Sequence, residues 1–147
     1  YPTPNDSEHR AHLKQRAQDN SAIIVHPPVP YEQLIETLIV YDLGVHLLPP
    51  INFNFANALP NKLFDFVQAR LGVVVGPSPE MARIVEEAGL GVVAPGYSAS
   101  DLAQVLKGLT KTQVQEFKAA SQAHARELSA DSQLLIWERY ITKIMGE

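Results

Sequence analysis

Between Leu71 and Gly76 the chain reads Leu-Gly-Val-Val-Val-Gly. Three consecutive β-branched residues without polar alternation describe a strand buried on both faces, which is what a parallel sheet covered by helices requires. The flanks agree. Leu59, Leu63, Phe64, Val67 and Leu71 recur at helical spacing before it. After it, Ser78-Pro79-Glu80 has the order of a helix start: a capping hydroxyl, a proline at the first helical position and an acid at the positive helix end. Gly91-Val-Val-Ala-Pro95 then repeats the buried run. Helices alternating with such strands predict a three-layer α/β/α domain with a parallel sheet, built from Ile23–Val25, Val45–Leu48, Val73–Val75 and Val92–Ala94.

The remaining segments are read around that centre. Residues 1–5 form a Pro-rich lead, expected as the tail of a strand. Asp6 or Ser7 can cap a polar helix to about Asp19, with Leu13 and Ala17 on its inner side. Ala22-Ile-Ile-Val25 reads as the first clear strand. His26-Pro-Pro-Val-Pro30 ends it, because proline removes ladder donors. A helix is expected from Tyr31 to about Tyr41, and Pro49-Pro50 stops the strand that follows it. Ile51–Asn57 reads as a loop in which Asn52, Asn54 and Asn57 interleave with Phe53 and Phe55. Ser98 and Asp101 form a capping pair for a helix to Leu109. A long helix spans Thr112–Leu128. Asp131 opens the last helix, where Leu134, Trp137, Ile141 and Ile144 make an apolar stripe expected to pack onto the domain or onto a preceding N-terminal half.

Composition closes several function classes. The 147 residues suffice for one domain with a core. The net charge of −4, with no basic run, argues against binding nucleic acid by neutralising phosphates. No cysteine is present, which removes disulfide and zinc-thiolate readings. No apolar run approaches the roughly 20 residues that span a bilayer. His9 and His12 share a helix face without a third ligand nearby, which reads as a surface pair. There is no Gly-rich dinucleotide fingerprint, no Walker loop and no Gly-x-Ser-x-Gly elbow, so Ser78 reads as a cap and not as a nucleophile.

In an open parallel sheet, ligands bind outside the carboxyl ends of the strands. Three such ends matter: His26–Pro30, Pro49–Asn57 and Gly76–Pro79. The Asn57–Pro60 loop leads into a helix start, whose free amides and dipole favour a diphosphate. Lys62 adds a point charge there, with a solvated surface lysine as its plain alternative. Asp65 on its own reads equally well as an exposed helical carboxylate. His26 lies at the crevice end of its strand, and His46 reads as a satisfied core histidine.

These segments carry a resemblance. Pro60-Asn-Lys-Leu-Phe-Asp65-Phe66, Leu71-Gly-Val-Val-Val75, Pro79-Glu-Met-Ala-Arg-Ile-Val-Glu86 and Gly89-Leu-Gly-Val-Val93 are similar to the C-terminal, nucleotide-sugar half of GT-B glycosyltransferases of the retaining Glu-x7-Glu type. The likeness extends more weakly over about 21–106. It implies a Rossmann-like sheet and a donor diphosphate and sugar held by Asn57, Ala58, Leu59, Asn61 and Lys62. It further implies ribose hydroxyls on Asp65 and a nucleobase pocket at Pro28 and Val29. Asp65 stands where the family has its second glutamate. Asn57 stands where it has the first, so the negative charge at that position is missing. No catalytic residue is assigned.

The resemblance also sets expectations for the whole protein. It implies sugar transfer from a nucleotide-diphosphate donor to a glycan, lipid or small-molecule acceptor, with no metal or other cofactor. It implies a cytoplasmic enzyme, peripheral at the inner membrane. A strand, a helix and a strand would precede Tyr1, together with an N-terminal acceptor domain. Residues 1–147 alone would then be catalytically silent, and their sheet would need the preceding segment, a dimer or swapped partner, or a rearrangement to be complete. A GT-B-like nucleotide-sugar epimerase and a degenerate, non-catalytic binding or scaffold domain are the competing readings.

Overall fold

The computed structural model describes residues 7–18 and 20–146, which fall into two compact units, residues 1–34 and 35–147. The Pro-rich lead, Asp6 and Asp19 lie outside the described residues. In the first unit α1 spans Ser7–Gln18. The run Ala22–Val25 is not a strand, contrary to the sequence reading. Asn20 explains why: its Oδ1 accepts from the Ala22 amide at 3.0 Å and its carbonyl from the Ile23 amide at 3.0 Å. The turn takes amides that a sheet ladder would need, and Ile24 is left 72% exposed. Tyr31–Gln33 is a 3-10 turn running into the short helix α2, Leu34–Leu38, in place of one helix to Tyr41.

The second unit holds a three-stranded parallel sheet, β1 (Leu43–His46), β2 (Gly72–Val75) and β3 (Gly91–Val93), in that spatial order. Leu43 pairs with Gly72 and His46 with Val75; Val73 pairs with Gly91. The fold is therefore α/β with a parallel sheet, as the buried valine runs require, with three strands instead of four. Between the strands lie α3 (Phe53–Ala56), α4 (Asn61–Gln68) and α5 (Pro79–Glu87). After β3 come α6 (Ala99–Gly108), α7 (Lys111–His124) and α8 (Ala130–Met145).

Both helix-to-strand connections use the same device. After α4, the Arg70 amide bonds to the Val67 carbonyl and the Leu71 amide to that of Phe66. After α5, Gly89 bonds to Glu86 and Leu90 to Val85. This is the Schellman arrangement, whose turning residue is left-handed. Gly89 adopts φ 62° without cost; Arg70 adopts φ 60° despite its Cβ. Arg70 offsets that strain through its guanidinium, which donates to the carbonyls of Val67 and Gln68 and, through Nε, to Gln122 Oε1 at 2.6 Å. Each turn delivers a leucine, Leu71 or Leu90, into the core just ahead of its strand.

Leu63 and Val67 of α4 and Met81 and Val85 of α5 pack with Val73, Val75 and Leu90 in one apolar cluster. Alternate strand residues share a face. Gly44, Val73 and Val75 therefore face α4 and α5, and a Cβ at Gly44 would run into the Phe66 ring. On the other face Val74 is fully buried, whereas Val45 of β1 remains 39% exposed. At the amino end of β2, Ser121 of α7 donates from a buried hydroxyl to the Leu71 carbonyl at 2.6 Å. Gln68 Nε2 donates to the Ala125 carbonyl, so α7 is tied to α4 as well.

The Ser98–Asp101 capping box forms as read, and a second, Thr110–Gln113, starts α7 one residue early. Ser129 caps α8 through the Ser132 amide. The stripe on α8 does not pack onto the domain: Leu134, Trp137, Ile141 and Ile144 are all more than half exposed.

Two expected outcomes follow from this packing. Gly44→Ala should cost about 1–3 kcal/mol in urea unfolding, because the added methyl displaces the Phe66 ring. Trp137→Ala should leave the unfolding free energy within about 0.5 kcal/mol, the range for exposed positions, instead of the 3–5 kcal/mol typical of a buried tryptophan.

Candidate functional site

The carboxyl ends of β1 and β2 differ in what covers them. Beyond β2 the chain passes through Gly76, and a Cβ there would lie 2.5 Å from Cε1 of Tyr97. The Tyr97 hydroxyl sits 3.2 Å from Ser78 Oγ, which is fully buried. Ser78 is thus turned toward Tyr97 and makes no side-chain cap for α5, although it occupies the capping position. A tyrosine ring fills the space over this strand end.

Beyond β1 the chain runs through Leu47–Asn52 into α3. Asn52 caps α3 by accepting from the Phe55 amide at 2.8 Å, so the expected loop contains a helical turn. Asn57 closes that turn, with Nδ2 donating to the Phe53 carbonyl at 2.9 Å. Ala58 is half-buried, and Pro60 occupies the N-cap position of α4. Proline has no side-chain acceptor, and no side chain caps the first amides of α4. Asn61 and Lys62 form the exposed first residues of this helix. Its amides and dipole therefore present positive potential with an ammonium beside it.

Asp65 follows one turn later and is only 8% exposed, which overturns its reading as an exposed carboxylate. A carboxylate this deep is kept only where hydrogen-bond donors serve it. Leu59 lines an apolar groove of about 440 Å³ with Phe64, Ile84, Ala88 and Leu128. The Arg83–Glu87 and His124–Glu127 pairs rim it at 2.7 and 3.0 Å.

The structure brings Asn57, Ala58, Leu59, Asn61, Lys62 and Asp65 together along one continuous segment of the second unit. Pro28, exposed, and Val29, half-buried, belong to the first unit. The His9 side chain is not among those described. No group of three or more metal-ligating residues occurs among the described residues. No described helix is long and apolar enough to cross a membrane.

One residue near the candidate site departs from the sequence reading. His46, the last residue of β1, is not a satisfied core histidine. Its Nε2 exposes less than 1 Å² and has no hydrogen-bond partner among the described residues. Two positions on from Gly44, it lies on the face that α4 covers. Burial, and then the charge of Lys62, push its pKa down. The alternation Gly44-Val-His46 was the available signal: it places a polar ring inward at a strand's carboxyl end.

No family model, curated protein or solved structure matches this chain.

The lowered His46 pKa sets a sign for pH dependence. The unfolded chain binds the proton more readily than the fold, so the contribution of His46 is fully present above about pH 6.5. It is lost as pH falls below that value toward the folded pKa. The difference in unfolding free energy between wild type and His46→Phe should therefore shift in favour of the variant between pH 7 and 5, measured by urea titration at each pH.

Proposed function

We propose that this chain is the nucleotide-sugar binding half of a GT-B glycosyltransferase, which as an intact protein transfers a sugar from a nucleotide-diphosphate donor to an acceptor. The observation that carries the reading is the position of Pro60-Asn-Lys-Leu-Phe-Asp65. This motif opens a helix without a side-chain cap, just beyond the carboxyl end of a parallel strand. A diphosphate at that helix start would gain hydrogen bonds from the Asn61 and Lys62 amides and the charge of Lys62. Asp65, one turn further, would accept the ribose hydroxyls, since a carboxylate offers about four acceptor sites. The buried setting of Asp65 supports a specific role over that of a solvated surface acid.

Transfer itself would need groups outside this set. The site of a GT-B enzyme lies between two domains, and the acceptor domain would supply the second wall. In this reading the exposed stripe on α8 is available to that domain, and the chain alone binds the donor without turning it over.

One observation favours a second reading. Asn57 replaces the family's first glutamate, and its side-chain amide is engaged with the Phe53 carbonyl. An amide so held contributes no negative charge to a donor sugar. A binding domain without turnover, or an epimerase with the same donor site, follows if the intact protein binds nucleotide sugar but transfers none.

Asp65→Asn keeps the size of the side chain and converts half of the acceptor into a donor. Nucleoside diphosphate affinity should fall roughly tenfold to a hundredfold, the equivalent of about 1.5–3 kcal/mol for hydrogen bonds to a charged group. Lys62→Ala should weaken binding more at low than at high salt, because its contribution is a screened charge. Calorimetry on folded variants checks both. Unchanged affinity in Asp65→Asn would place the nucleotide elsewhere and leave the likeness to describe fold alone.

A further inference from the structure

We infer that α8 is a self-association surface, against which α8 of a second copy packs antiparallel through Leu134, Trp137, Ile141 and Ile144. The inference does not rest on the donor-site reading. Leu134, Trp137, Tyr140, Ile141, Ile144 and Met145 are each more than half exposed. At about 100° per residue these positions fall within an arc of roughly 140°, so they form one face. Large side chains this exposed present together on the order of 700 Å² of surface. The largest apolar patch of a typical monomer is about 300–600 Å². A specific interface takes about 800 Å² from each partner. The face is thus too large for a solitary surface and near the size that one copy gives to a dimer. Its helix is fixed at both ends. Ser129 caps the start, the Ser129 and Ser132 hydroxyls donate to the Arg126 carbonyl, and Gly146 ends the helix in the left-handed conformation.

Spacing and charge select a second copy as the occupant. The steps between Leu134, Trp137, Ile141 and Ile144 are three, four and three residues, which read the same in both directions. A copy running the opposite way therefore sets Leu134 against the partner's Ile144 and Trp137 against the partner's Ile141. Each contact then occurs twice, as an isologous dimer requires. Antiparallel order also places the positive start of each helix beside the negative end of the other. The charges of α8 balance, Asp131 and Glu138 against Arg139 and Lys143, and the chain carries a net charge of −4. A lipid surface draws helices with a basic polar face, which α8 lacks. A single helix pair implies a dissociation constant in the micromolar range. In dilute solution the chain is then a monomer, and there Trp137→Ala is neutral to unfolding. At higher concentration the wild-type melting midpoint rises, because the second copy binds only the folded chain.

Sedimentation of the 147-residue chain from sub-micromolar to millimolar concentration tests this, with the emission of Trp137, the sole tryptophan, followed in parallel. Expected are a monomer–dimer equilibrium and a blue shift that tracks the dimer fraction. Trp137→Ala and Ile141→Glu should each weaken association roughly tenfold or more, with unchanged melting midpoints in dilute solution. Leu135→Glu is the control: Leu135 is also more than half exposed but lies off the stripe, and this variant should associate as wild type does. The chain has no cysteine, so engineered ones report the orientation. Leu134→Cys mixed with Ile144→Cys should cross-link faster than either variant alone. A chain that stays monomeric, with or without a blue shift on phosphatidylcholine vesicles, leaves the stripe to another partner and overturns the inference. A dimer that survives both Trp137→Ala and Ile141→Glu uses a different surface and also overturns it. Equal loss in Leu135→Glu marks unspecific sticking, and faster cross-linking of Leu134→Cys with itself marks parallel order; either result overturns the antiparallel contact.

Discussion

Val73, Val74 and Val75 expose nothing to solvent, and a strand with no wet face dictates its surroundings. Its backbone must be paired on both edges, which β1 and β3 do in parallel. Parallel pairing forbids tight hairpins, so each neighbour is reached through a helix. Those helices bring Leu63, Val67, Met81 and Val85 onto the face of Val73 and Val75. The two Schellman turns then return the chain to the sheet with a leucine leading each strand. Ser121 fastens α7 to the same strand from below, through the Leu71 carbonyl. The apolar cluster of the second unit is thus gathered on the strand that stays dry.

The same demand positions the candidate site. A parallel β-α-β unit sets the start of its helix beside the carboxyl end of the preceding strand, so α4 opens where β1 stops. At β2 that corner is filled by Tyr97 over Gly76. At β1 it holds an uncapped helix start, a lysine and an unsatisfied imidazole nitrogen. The two corners thus differ in whether a side chain closes the strand end. Asp65, one turn along α4, is drawn to 8% exposure on a helix already buried through Leu63 and Val67.

The sequence made the central unit legible because local signals and packing agree there. β-branched runs, helical periodicity and the Ser98–Asp101 box each select the element that packing also favours. The reading failed where one residue outbid the pattern. Asn20 turns the chain ahead of Ile23 and Ile24, so an apolar run with high strand propensity stays unpaired. Asn52 and Asn57 bracket a helical turn too short to show periodicity. Arg70 stands at a left-handed position where glycine is the usual signal, so the form of the turn that ends α4 has no mark in the sequence. At the site, Lys62 and Asp65 were visible through the motif that contains them. The alternation Gly44-Val-His46 marks an inward histidine, but the missing partner of its Nε2 is a property of the fold. Trp137 belongs to a stripe that is clear in sequence, yet periodicity carries no information about what covers it.

The central claim is that the start of α4 beside His46 receives the diphosphate of a nucleotide. Titration of the 15N-labelled chain with UDP, GDP and ADP, followed amide by amide, tests it most directly. The account predicts saturable shifts for one nucleotide, largest at Asn61, Lys62 and Leu63 and extending to His46 and Asp65, with α8 unmoved. Shifts confined to other elements, or none with any of the three nucleotides at millimolar concentration, would contradict it.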